Sequence, residues 1–179
     1  MKRFVIIKDN FDDFNIVSDV FRSLIGNNIE MVKKNEYNIL YFYYENITDI
    51  ENMLLSLTDV FMVNINSYIS QYNNLDEELQ IALDIMESLP SGVYTFKKAL
   101  LYGNVKNKQK ALDFILKSSG IDENFIKSFI SCDLNVSRAS KIMYTHRNTI
   151  NYKLDKLYEN SNFDLRKFID AHIIYSLIK

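Results

Sequence analysis

Apolar positions recur along this chain with two different periods, and the change from one to the other divides it. "RFVIIK" near the start is an apolar run of strand length. Phe14, Val17, Phe21 and Leu24 follow at helical spacing, with Gly26 as a stop. "EMVKKNEYNILYFYYE" predicts two strands joined around Lys34-Asn35, the second rich in strand-favouring aromatics. "ITDIENMLLSLTDVF" predicts a helix capped at Thr48. "FMVNINSYIS" alternates as a strand does, with Val63, Ile65 and Ser67 set against Asn64 and Asn66. "LDEELQIALDIMESL" predicts a helix burying Leu75, Leu79, Leu83 and Met86, ended by Pro90-Ser91-Gly92. Its acids Asp76, Glu77 and Glu78 sit in the first turn, where the helix dipole favours them. Strand–helix–strand–strand–helix–strand–helix is an α+β pattern, a sheet with helices on one side, expected over residues 1–105.

"GNVKNKQK", from Gly103 to Lys110, is the hinge candidate, and beyond it every segment reads as helix, giving a helical domain over residues 106–179. Four helices fit residues 111–179. Asp122 caps the first, which carries Phe125, Ile126, Phe129 and Ile130 on one side. Ser137 caps a short second one with Val136, Ala139, Ser140 and Met143 inward and Arg138 and Lys141 outward. The third starts near Arg147 and buries Ile150, Leu154 and Leu157, which turns Asn148, Tyr152 and, more laterally, Asn151 to the far side. The last, about Asp164 to Ile178, carries Leu165, Phe168, Ile169, Ile173 and Leu177 inward, with His172 near that inner face. A short helix, a tight turn and a longer helix with polar residues at its start is the helix-turn-helix arrangement, here at about residues 136–158.

Charge sharpens that picture. The whole chain of 179 residues has a formal charge of −2, yet residues 134–153 contain Arg138, Lys141, Arg147 and Lys153 and no acid, a local +4 that leaves −6 elsewhere. Such a patch inside an acidic protein is what contact with phosphates requires. Asn148 and Asn151 carry amides able to pair with adenine in the major groove, and Tyr152 suits a sugar, a phosphate or a thymine methyl. The remaining composition narrows the class. Apolar residues at 47 % supply a real core. A single cysteine, Cys132, excludes an intramolecular disulfide and reads as a small buried side chain; with His146 and His172 it makes no zinc spacing. No apolar run approaches a membrane span or a signal peptide, so a cytoplasmic protein is expected. No Ser-His-Asp set, carboxylate pair or phosphate loop stands out, so neither catalytic residues nor a cofactor is expected. The aromatic cluster Tyr37, Tyr41, Phe42, Tyr43 and Tyr44 is the candidate lining for a small-molecule effector, against the plainer reading of sheet core and sheet surface.

"NVSRASKIMYTHRNTINYKL", followed by "FDLR" from Phe163, resembles the C-terminal helix-turn-helix of the PucR/CdaR family of bacterial transcription regulators. The likeness rests on Asn135-Val136-Ser137, on His146-Arg147-Asn148-Thr149 entering the third helix, and on Tyr152, over roughly 60 residues. It implies DNA contact by Ser137, Arg138, Thr145, His146, Arg147, Asn148, Thr149, Asn151 and Tyr152, alongside the basic Lys141 and Lys153 of the patch. Tyr144 stands where many helix-turn-helix proteins have glycine, and Asn151 and Lys153 replace basic residues common in the family. The first half resembles the degenerate GGDEF-like domain that often precedes this motif, with "GVYTFKKALLYGN" at the matching strand and helix. No Gly-Gly pair and no Asp/Glu-Glu-Phe triplet occurs, so cyclase chemistry is not expected.

The expectation is a two-part regulator, not an enzyme: a sensing or dimerisation domain, then a DNA-binding domain acting on double-stranded DNA as a homodimer. The alternatives are a protein-interaction module whose helix-turn-helix no longer binds DNA, and a degenerate nucleotide-binding enzyme.

Overall fold

The structure, a computed structural model, describes residues 1–8, 14–26, 28–61, 65–117 and 119–178. Two compact units are present, Met1–Lys106 and Asn107–Lys179.

The first unit runs β1 (Lys2–Lys8), α1 (Phe14–Ile25), β2 (Glu30–Lys34), β3 (Tyr37–Tyr43), α2 (Ile47–Phe61), β4 (Asn66–Ile69), α3 (Leu75–Met86), β5 (Gly92–Thr95) and α4 (Phe96–Tyr102). Its sheet has the order β2-β3-β1-β4-β5. All pairs are antiparallel except β4 with β5, which the crossover through α3 makes parallel. Successive side chains of a strand point to opposite faces. One face therefore buries Val5, Ile7, Leu40, Phe42 and Ile69 against Val17 and Phe21 of α1 and Ile50, Leu54 and Leu57 of α2. The opposite face is buried too: Phe4, Ile6 and Tyr68 are fully enclosed, and the Tyr68 hydroxyl donates to Glu78 of α3. Helices thus cover both faces, not the one expected, which is why "FVII" is an unbroken apolar run.

The inner face of α3 differs from the expected one for the same reason. Ile81, Ala82, Ile85 and Met86 are buried, whereas Leu75, Leu79 and Leu83 are only half-buried. The buried stripe starts at Glu78, an acid at an apolar position. Its carboxylate accepts from the Tyr68 hydroxyl at 2.8 Å and from the backbone N–H groups of Gln71 and Tyr72 at 2.7 and 2.9 Å. Burial pushes it up to about 7 against the pull of those hydrogen bonds and of Arg3. Arg3 is itself buried and donates to the carbonyls of Tyr44, Ser70 and Glu45.

Smaller departures follow local chemistry. Asn46, not Thr48, caps α2 by accepting from the Thr48 N–H at 3.1 Å. Leu24 is 39 % exposed, while Gly26 ends α1 as expected with φ +89°. In β4 both Asn66 and Ser67 are buried, Asn66 donating to the Leu89 carbonyl, so the expected polar side faces no solvent; Val63 and Asn64 lie outside the described residues. Gly103 is no loose joint: a Cβ there would strike the side chain of Ile85. The aromatic cluster does not face one way: Phe42 points into the α1–α2 face, Tyr41 lies beside Phe4 on the other, and Tyr43 is 70 % exposed.

The second unit contains, among the described residues, α5 (Lys108–Leu116), α6 (Glu123–Ser131), α7 (Val136–Ile142), α8 (Arg147–Ser161) and α9 (Phe168–Ile178), one helix more than the four expected. Its core joins Leu112, Phe125, Phe129, Cys132, Ala139, Ile150, Leu154, Leu157, Phe163, Leu165 and Ile174, all buried. The last helix begins later than expected. Asp170 accepts from the Asp164 N–H at 2.8 Å and the Lys167 N–H bonds the Asp164 carbonyl, which closes residues 164–167 into a turn. Starting at Phe168, the helix buries Asp170, Ala171, Ile173, Ile174 and Leu177. Phe168 and Ile169 are left 75 % and 57 % exposed, and His172 stacks on Phe168 outside; all three were expected inward. No helix among the described residues is long and apolar enough to cross a membrane.

Candidate nucleic-acid interface

The candidate site is built from the end of α6 to the second turn of α8. After α6, Asp133 and Leu134 both take left-handed backbone at φ 57° and 58°, a tight reversal that brings Asn135 to the start of α7. Asn135 caps that helix by accepting from the Arg138 N–H at 3.0 Å. Ser137, expected as the cap, lies exposed in the first turn instead. Tyr144 makes the turn between α7 and α8 with φ +49° and is 97 % exposed. The Thr145 N–H then returns to the Ser140 carbonyl at 3.1 Å. His146 caps α8: its Nδ1 accepts from the Asn148 N–H at 3.2 Å. The two helices are clamped by Ala139 of α7 and by Ile150, Leu154 and Leu157 of α8, each with no exposed surface. With about 100° per residue, that inner stripe fixes which side chains face away.

Most of the predicted residues lie on that side. Arg138, Lys141, His146, Arg147, Asn148, Thr149 and Tyr152 are exposed, Tyr152 by 65 %, while Thr145 and Asn151 are half-buried at the margins. Asn148 and Tyr152 project within about 40° of each other along α8, with Asn151 to one side. Lys153 departs from the group: its ammonium lies 5.1 Å from the centre of the Phe125 ring, a cation–π contact facing α6.

The electrostatics are less one-sided than the count over residues 134–153. Arg138 is ion-paired with Asp133, just outside that window. Asp155 lies on the same side of α8 as Asn148, about two turns on, held by Arg166 Nη1 at 2.8 Å, and Glu159 follows about one turn later. Arg166 also bonds Asp164, Nε to Oδ1 at 2.7 Å. Burial raises the Asp164 carboxyl, but the Arg166 hydrogen bonds and charge outweigh that and hold it below the ordinary range. Lys141 and Arg147 form no ion pair among the described residues. The cationic, amide-bearing character is therefore confined to α7, the turn and the first two turns of α8. The start of α8 adds the positive end of its dipole there, although His146 already accepts from the Asn148 and Thr149 N–H groups. Among the described residues no group of His, Cys, Asp and Glu is gathered to hold a metal ion.

Sequence reasoning missed Asn135 and His146 as caps and the Asp133–Arg138 and Asp155–Arg166 pairs. An Asn at the head of "NVSR" was a readable cap signal; the two ion pairs are not readable without coordinates.

Residues 124–177 match the family described as the PucR C-terminal helix-turn-helix domain. No curated protein matches the chain. In three dimensions the chain is similar to the crystal structure of the Regulator of Polyketide Synthase Expression from Bifidobacterium adolescentis, with a TM-score of 0.53 and 15 % identity over 99 % of this chain and 78 % of that one. At that identity the likeness is one of fold.

Proposed function

From the PucR-type helix-turn-helix at residues 124–177, we propose that the chain is a transcriptional regulator that binds double-stranded DNA in a sequence-specific way. The observation that carries this reading is the exposed set Lys141, Arg147, Asn148 and Tyr152 gathered on the outer side of a clamped helix pair. In this reading α8 enters the major groove by its amino end. Asn148 and Asn151 read base edges and Tyr152 packs on a sugar or a thymine methyl. Ser137, Arg138, Lys141, Thr145, His146, Arg147 and Thr149 position the helix on phosphates. Lys153 joins them only by leaving Phe125. The first unit senses an effector or joins two copies, and the chain works in the cytoplasm as a binding protein without catalysis.

The test is an anisotropy titration of the full chain on duplex selected from a random pool, repeated across salt. Affinity falls steeply with salt, by a log–log slope of about 0.9 for each phosphate engaged. Arg147→Ala weakens binding to all sequences and lowers that slope by about 1 for each copy bound, whereas Asn148→Ala relaxes discrimination at particular base pairs by about 1–3 kcal/mol. Wild type and both variants binding alike at every salt concentration rejects the reading. A protein-interaction role is favoured by one observation, the exposed Phe168 and Ile169 on α9. It predicts weak DNA affinity with little salt dependence.

A further inference from the structure

The outer edge of the sheet in the first unit carries a pattern complementary to itself. β2 reads Glu30-Met31-Val32-Lys33-Lys34, pairs with β3 on one side, and is exposed at all five residues. The turn to β3 is two residues long, Asn35-Glu36, with Asn35 left-handed at φ 54°. Lys34 and Tyr37 are then the hydrogen-bonded pair that closes the hairpin. By alternation the backbone of Glu30, Val32 and Lys34 bonds to β3, and the N–H and C=O groups of Met31 and Lys33 point outward. Met31 and Val32 are 44 % and 42 % exposed.

We propose that β2 is the surface through which two copies of this chain associate, edge to edge and antiparallel, about a two-fold axis through Val32. In that register Met31 faces Lys33 of the second copy, so the outward backbone groups of both strands meet each other. On the opposite side of the ribbon Val32 meets Val32, and Glu30 faces Lys34 of the second copy, twice by symmetry. Axes through Met31 or Lys33 give no acid–lysine pair, and the latter sets lysine against lysine. Lysines on an edge strand normally repel other strands; here they admit a strand that brings Glu30 opposite Lys34. The ion pair Glu30 already has, with Lys2 at 3.9 Å, leaves its side chain 68 % exposed.

A ribbon of five residues is smaller than the roughly 1,200 Å² of a stable interface, so the association is weak in free solution and is reinforced when both copies sit on one DNA. The proposal rests on the two-copy reading above and names its surface.

The experiment is sedimentation velocity of the full chain from micromolar to near-millimolar concentration, with thermal melts to establish that each variant folds. Wild type self-associates. Glu30→Lys and Lys34→Glu each weaken the dimer about tenfold, since two cross-strand pairs turn repulsive, and the double variant restores it to within about twofold. Lys33→Pro removes an outward donor without touching the β3 ladder and abolishes association. A dimer indifferent to all these variants overturns the β2 interface and leaves the two-copy reading standing. A monomer at every concentration overturns the proposal, and salt-dependent DNA binding by that monomer would leave the DNA reading intact.

Discussion

Removing the acid beside Arg138 should strengthen DNA binding. Arg138 is held by Asp133 in a pair whose side chains are 56 % and 78 % exposed. To reach a phosphate it must leave that partner. Exposed pairs of this kind are worth about 0.2–1 kcal/mol, screened by salt. Asp133→Asn removes that cost once per copy, a gain of about 1.4- to 5-fold per copy. With two copies on one site the factors multiply, to about 2- to 30-fold. Asparagine is the right replacement because Asp133 sits at φ 57°, a left-handed conformation that Asn tolerates, so the reversal into α7 survives. The Asn135 cap two residues on is untouched. The assay is the anisotropy titration at several salt concentrations. The gain should be largest at low salt and shrink as salt screens the pair. Equal or weaker binding by Asp133→Asn at low salt would show that Arg138 stays on its own acid in the complex, and would remove it from the contact set.

Three further outcomes are expected. His146→Ala deletes the α8 cap and costs about 1 kcal/mol in urea unfolding, while His146→Asn restores it; an unchanged midpoint for the alanine variant would dismiss the capping role. Leu154→Ala opens a cavity at a position with no exposed surface and costs about 2–5 kcal/mol, read as a lower melting temperature. Glu78 has a folded pKa of about 7, above that of the unfolded chain, so the folded state holds the extra proton between about pH 4.5 and 7. Stability therefore falls as pH rises through that window, by on the order of 3 kcal/mol, and levels off above it. Glu78→Gln abolishes that slope, and an identical pH profile for the two proteins would refute the assignment.

What could be read without coordinates followed from strong local periodicity. The stripe Ile150, Leu154, Leu157 sets the rotation of α8, so the outward positions of Asn148 and Tyr152 were legible from spacing alone. The α+β character of the first half was legible in the same way. The errors arise where a distant partner overrides a local signal. An acid in the first turn of α3 looks ordinary until Tyr68 and the Gln71–Tyr72 backbone close over it. With Glu78 in the stripe, the inner face shifts from Leu75 and Leu79 to Ile81 and Ile85. Phe168 and Ile169 fit a helix starting at Asp164, but the Asp170 bond to the Asp164 N–H delays the start and rotates them outward. Asn135 and Ser137 are both capping residue types; the double left-handed reversal at Asp133 and Leu134 selects the first.

The change of charge along α8 constrains how such a helix meets DNA. From Arg147 to Tyr152 the axial rise is about 7.5 Å, roughly the depth of two stacked base pairs. Beyond it the same side presents Asp155 and Glu159. A helix lying lengthwise in the groove would bring those carboxylates near phosphates, where like charge repels; one entering by its amino end leaves them behind. Arg166 on Asp155 weakens that repulsion without reversing it, because Asp164 shares the same guanidinium. End-on entry exposes few base edges to Asn148, Asn151 and Tyr152. At about 1–3 kcal/mol per well-made contact, one helix discriminates too little against a genome of competing sites. Two copies with half-sites about one helical turn, ~34 Å, apart double that discrimination. On the proposed DNA reading, the short outward surface of α8 calls for two copies, the same number that the proposed pairing of β2 edges would supply.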